Sequence, residues 1–70
     1  PNPTNGKIEV RSEKLKVRSI EIYNVMGEIV YKSQVSSFKF QIDISAQPKG
    51  IYFVKINNGI NTQIEKIVLQ

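Results

Sequence analysis

Six carboxylates, five Glu and one Asp, are the side chains in this sequence that could do acid–base chemistry. Glu9, Glu13, Glu21, Glu28, Asp43 and Glu65 would have to converge in pairs on a cleft to cleave a glycosidic bond or shuttle a proton. All six fall among outward polar positions or turns. Asp43, beside the Ser45 turn, is the one expected to be partly buried, and an Asp in that place more often caps a loop. With no His in the chain, the commonest general base is missing and a nucleophilic Ser has no triad partner. With no Cys, there is neither a thiol nucleophile nor a thiolate metal site. The four Gly residues are isolated turn punctuation rather than a phosphate-binding loop. No catalytic, cofactor-binding or metal site is expected.

Binding chemistry is the remaining possibility. Eight Lys and two Arg give a net charge of +4, which permits contact with phosphates or an anionic surface. The cations are scattered about once per strand or turn, with acids interleaved. That pattern fits a solvated face, where Lys also protects sheet edges from pairing. Tyr23, Tyr31, Tyr52, Phe38, Phe40 and Phe53 could stack bases or sugars beside Lys. Phe38, Phe40 and Tyr52, however, lie in phase with aliphatic neighbours and read as core. Phe53 and Ile51 lie out of phase with them, so this pair is either exposed as a docking patch or covered by another layer.

The elements that must position these residues are strands. Pro1 to Gly6 concentrates turn formers and reads as a leading loop or linker, with residues 7–70 forming the folded part of a single domain, 1–70. Ile8 and Val10 alternate with charged residues in a first strand. Leu15 and Val17 alternate next, whereas Ile20 and Ile22 continue in the opposite phase, which requires a bulge or break near Arg18-Ser19. Asn24 to Gly27 is a turn, and Glu28 to Lys32 a short strand with Ile29 and Tyr31 on one face. Ser33 to Ser37 reads as a loop. Phe38, Phe40, Ile42 and Ile44 give the cleanest alternation, and Ser45 to Gly50 a turn. Tyr52, Val54 and Ile56 share one face of the next strand. Asn57-Asn58-Gly59 is a hairpin signal, because Asn and Gly tolerate positive φ. The last run, Ile60 to Leu69, stays strand-like almost to the end, so the C-terminal hairpin is expected to be used.

No window has helical periodicity. About seven short strands predict an all-β antiparallel sandwich, with a small barrel as the alternative. Its core is predicted to hold Ile8, Val10, Ile20, Ile22, Ile29, Tyr31, Phe38, Phe40, Ile42, Tyr52, Val54 and Ile56. Seventy residues supply only about 3–5 kcal/mol of core stability. No apolar run is long enough to span a bilayer. The absence of an initiating Met and of a signal peptide reads as a piece of a longer polypeptide.

Taken in order, PNPTNG, IYNVMGEIV, and PKGIYFVKI followed by EKIVLQ resemble the type A C-terminal sorting domain of the type IX secretion system of Bacteroidetes-type bacteria. The resemblance covers nearly the whole chain. It implies a seven-stranded immunoglobulin-like sandwich, no enzymatic activity, no cofactor, and no nucleic-acid partner. It also implies a cargo protein fused on the N-terminal side and recognition by the outer-membrane translocon. A sortase-like peptidase generally removes the domain upstream of Pro1 or close to it. The expected location is the periplasm in transit, then the cell surface or the medium. The motif positions carried over are Pro3, Gly6, Tyr23, Gly27, Gly50, Tyr52, Val54, Lys66 and Val68. Lys66 could serve the address or simply guard an edge strand. The competing readings are a carbohydrate- or surface-binding accessory module and, from the residues alone, a nucleic-acid-binding barrel.

Overall fold

The computed structural model describes residues 4–70, and Pro3 together with the start of the leading loop lies outside them. Among the described residues, six strands form two antiparallel sheets: β1 Lys7–Arg11, β2 Val17–Asn24, β3 Ile29–Ser37, β4 Lys39–Asp43, β5 Gly50–Asn57 and β6 Thr62–Leu69. Strands β1 and β4 pair as a ribbon, while the larger sheet runs in the order β3-β2-β5-β6. The expectation of an all-β sandwich holds, with six strands where about seven were expected. Leu15 belongs to the loop before β2, and the leading segment contributes a single parallel bridge, Thr4 to Leu69.

The two sheets meet through one apolar cluster. Ile8, Val10, Ile42 and Ile44 come from the ribbon side, and Val17, Ile20, Ile22, Tyr52, Val54, Ile67 and Leu69 from the larger sheet. Ile20 and Ile22 are completely removed from water. Both lie on β2, which is flanked by β3 and β5, so a strand with neighbours on either side carries the deepest residues. Val17 is buried as well, three positions from Ile20, which strict alternation would forbid. The ladder slips between Val17 and Ser19, placing the bulge where the phase change required it.

Three expectations are corrected. Ser33 to Ser37 is strand rather than loop, because β3 pairs with β2 as far as Ser37. On an edge strand the backbone ladder supplies the order and few apolar side chains are needed. Ile29 is nearly half exposed. A second slip between Ile22 and Tyr23 makes Ile29 the partner of Tyr23, and Val30 packs on the core in its place. Phe38 is also mostly outside the core, at 44% exposure. It is the single residue between β3 and β4, where the chain leaves one sheet for the other. Its carbonyl accepts from the Ser12 amide at 2.7 Å. Phe40 and Ile56 are only half-buried.

The hairpin between β5 and β6 uses its Asn residues differently from the expectation. Asn57 pairs with Thr62, so four residues form the loop, and among the described residues only glycines have positive φ. Asn57 Oδ1 accepts from the Gly59 amide at 2.7 Å. Asn58 Oδ1 accepts from Ile60 and Asn61 at 3.0 and 2.8 Å. The amide side chains hold the turn as Asx acceptors while Gly59 alone takes the left-handed bend.

Replacing Ile22 by Ala should cost about 2–5 kcal/mol, enough to leave so small a domain largely unfolded at room temperature. Phe38→Ala at the exposed corner should retain a cooperative transition. Urea denaturation followed by circular dichroism checks both. Equal losses would mean that Phe38 is a core residue after all.

Candidate functional site

The motif residues separate according to which way they face. Tyr52 and Val54 point into the core, and the Tyr52 hydroxyl donates to the Pro48 carbonyl. This ties the start of β5 to the preceding turn. Gly50 opens β5 at a φ of 149°. These residues shape the module.

Gly6 is a packing position. Its φ is 110°, and a Cβ built there would sit 2.5 Å from Ser45 Cα. No flexible atom can yield at that contact, since the obstruction is backbone. The Gly6 carbonyl accepts from the Ile44 amide at 2.8 Å, and the Thr4 hydroxyl receives the Gly6 amide at 3.1 Å. Gly27 is a turn residue with open space around it. The organiser of that turn is Asn24, whose Oδ1 accepts from the Met26 and Glu28 amides, both at 3.0 Å. Its Nδ2 donates to Glu28 Oε1 at 3.0 Å. Asn24 was visible as a turn former, but the spacing to Glu28 was the sign of its second role.

Tyr23, Lys66 and Val68 stand on the opposite, outer face of the larger sheet. The ladders align Ile29 with Tyr23, Tyr23 with Phe53, and Phe53 with Lys66, one residue from each strand in a row across the sheet. Val68 pairs with Ile51 next to that row, and Ile64 with Lys55 on its other side. Ile51 is 39% exposed and Ile64 63%, and Phe53 is half-buried. Of the two alternatives for Ile51 and Phe53, Ile51 meets the exposed one, whereas Phe53 is only partly open to solvent. Ile64 was not among the predicted site residues, although its spacing of two from Lys66 and four from Val68 is the signal that places it on their face.

Electrostatics fix this face. The Tyr23 hydroxyl donates to Glu21 Oε1 at 2.9 Å, and Lys55 Nζ lies 3.9 Å from the same oxygen. That hydrogen bond, and the negative charge beside it, hold the Tyr23 phenol above its ordinary pKa. Elsewhere the carboxylates serve local structure. Glu9 is held below the usual range by the Arg11 guanidinium, 2.7 Å away. Asp43 is exposed rather than partly buried. It accepts from the Ser45 amide at 2.9 Å, and these bonds from Ser45 lower its pKa. The capping role expected of Asp43 holds.

Glu65 is exposed, as expected of the acids, but on the inner side of its sheet. It stands in phase with Ile67 and Leu69, opposite Val54. It borders a groove of about 920 Å³ between β1 and β6, with Val17, Val54 and Ile56 on the floor. Two strands span about half the width of four. The ribbon therefore leaves the first half of β6 uncovered.

The molecule thus belongs to the class of small antiparallel sandwiches that present a patterned sheet face. A family model described as secretion system C-terminal sorting domain matches residues 1–70, and the chain belongs to that family. No curated protein matches it. The domain is a C-terminal sorting signal of type IX secretion, which sends cargo to the cell surface or outside the cell. The family is one of sorting signals rather than enzymes.

Glu21→Gln should bring the Tyr23 titration down toward that of a free phenol. The linkage follows from the direction of the shift. A phenol whose pKa is raised on folding adds stability below about pH 10, and that stability is lost as pH rises through the folded pKa. Ultraviolet titration of the tyrosinate band in wild type, Tyr23→Phe and Glu21→Gln checks it. Indistinguishable alkaline titrations of wild type and Glu21→Gln would contradict the hydrogen bond.

Proposed function

We propose that the outer-membrane translocon of the type IX system reads the outer face of the larger sheet, with Tyr23, Lys66 and Val68 as contact residues. Gly6, Gly27, Gly50, Tyr52 and Val54 hold the shape on which those contacts depend. The observation that carries this reading is the alignment of Tyr23, Phe53 and Lys66 in one register row, with Val68 adjoining. An aromatic pair flanked by a cation and aliphatic residues has the composition of an interface centre. Lys66 can lay its stem along the sheet and offer its charge to an acidic partner. The whole of 1–70 acts as one domain joined to cargo on its N-terminal side. The cargo crosses the periplasm, and a sortase-like peptidase then removes the domain near Pro1, leaving the cargo on the surface or released.

A deletion from Glu65 onward cannot test this, because Ile67 and Leu69 are core residues and their loss would unfold the domain. Side-chain changes on the outer face separate address from fold. A periplasm-directed reporter fused to the domain, in a host with this system, should be exported roughly tenfold less with Tyr23→Ala plus Lys66→Glu. That variant should keep the wild-type circular dichroism. Ile67→Ala should lose folding and export together. Undiminished export by the folded outer-face variant would sink the proposal.

A further inference from the structure

We infer that the end of the sandwich opposite the Thr4–Leu69 bridge is a docking surface for an anionic phospholipid bilayer, a role separate from the sheet face above. The topology gathers three connections there. The loop between β1 and β2 and the Phe38 corner are joined by the Ser12 amide and the Phe38 carbonyl. The β5–β6 loop is held to the same end by the pairing of Ser19 with Asn57, and Gly59 lies against the Arg18 side chain.

Each connection raises one apolar side chain into solvent: Leu15 at 39%, Phe38 at 44% and Ile60 at 74% exposure. Around them stand Arg11, Lys14, Lys16, Arg18 and Lys39, all exposed, against the carboxylates Glu9 and Glu13. This pole therefore carries most of the net charge of +4. Lys16 Nζ lies over the Phe38 ring, 5.8 Å from its centre, so a cation stands directly beside this apolar tip.

Protruding apolar tips inside a ring of cations match a surface with two phases, phosphates outside and hydrocarbon just beneath. Nucleic acid offers the phosphates and admits single apolar wedges between base steps, but three tips raised by separate connections match a continuous hydrocarbon layer better. Val25 and Met26, at the other pole, are exposed at 67% and 80% but sit in a turn beside Glu28, without such a ring. They provide the control.

The test is cosedimentation of the 70-residue domain with vesicles of phosphatidylglycerol and phosphatidylcholine, or of phosphatidylcholine alone. Binding is expected with the anionic vesicles only. It should fall roughly tenfold with Ile60→Ser, as an aliphatic side chain stops being buried. It should fall roughly fivefold for each cation removed in Lys14→Gln and Lys16→Gln. Phe38→Ser should act in the same direction, and Val25→Ser with Met26→Ser should leave binding unchanged. Ile60 is a loop tip, so its substitution leaves the core intact, and thermal melting confirms that each variant is folded. Three results would overturn the inference. These are no binding to anionic vesicles, binding indifferent to both Ile60→Ser and Phe38→Ser, or a DNA oligonucleotide held as tightly as the vesicles whether or not Ile60 is replaced by Ser.

Discussion

Ile20 and Ile22 on β2 face Ile56 and Val54 on β5 across a ladder, and from this apolar seam the rest of the module hangs. A chain of this size buries only about 60% of the surface its unfolded form exposes. It has no Cys for a disulfide, so the seam must supply most of the stability. Each flanking element is fixed by its relation to these two strands. The ribbon covers the seam with Ile8, Val10, Ile42 and Ile44, β3 extends it with half-buried Tyr31 and Val35, and β6 closes its far side with Ile67 and Leu69. Because the ribbon is only two strands wide, cover fails first over the early part of β6, and there Gln63 and Glu65 replace apolar residues. The groove follows from the unequal widths of the two sheets.

Strand identity was legible wherever one face is buried and the other wet, as in Ile8 and Val10 or Tyr52 and Val54. It was legible even through the phase break at Arg18-Ser19, because a bulge leaves its trace in the order of apolar residues. What failed to show were features set by partners distant in sequence. Nothing local distinguishes Ser33 to Ser37 from a loop, since its order comes from hydrogen bonds to β2. Ile29 changed sides because the ladder slips by one residue, and such a slip moves a side chain across the sheet. Phe38 continued a perfect alternation yet marks a corner, because alternation does not report where a chain changes sheet. Of the motif positions, the sequence could separate Tyr52 and Val54 from Lys66 and Val68 only by phase. It could not show that Tyr23, on another strand, joins the latter.

The two faces of β5 show how one strand can serve stability and recognition with little interference. Tyr52 and Val54 are committed to the core, whereas Ile51, Phe53 and Lys55, alternating with them on the outer face, can change in chemistry without opening a cavity in it. On the proposed reading, a substitution on the outer side costs contact with the translocon, and one on the inner side costs the fold. An address of that kind would stay readable only while the fold persists, and a receptor reading the face would also check that the domain is folded.

The turns carry the same economy further. Asn24, Asn57 and Asn58 satisfy the bends with their own side-chain amides, and Thr4 and Asp43 do so at the join between β4 and the leading segment. None of these bonds needs a metal, a disulfide or a charged partner buried in the core. Such a module folds by local turn chemistry and one apolar seam, both indifferent to redox conditions. Carboxylates that cap and pair at the surface keep it so across ordinary pH. In acid the bonds to Asp43 and Glu9 weaken, since groups with lowered pKa add their stability above their unfolded values and lose it as pH falls through the folded ones. These groups are exposed and screened by salt, so the seam rather than the surface sets the limit of folding. On the proposed reading, what must stay constant is the relative position of Tyr23, Phe53 and Lys66, and hydrophobic burial beneath them is the term least altered by a change of surroundings.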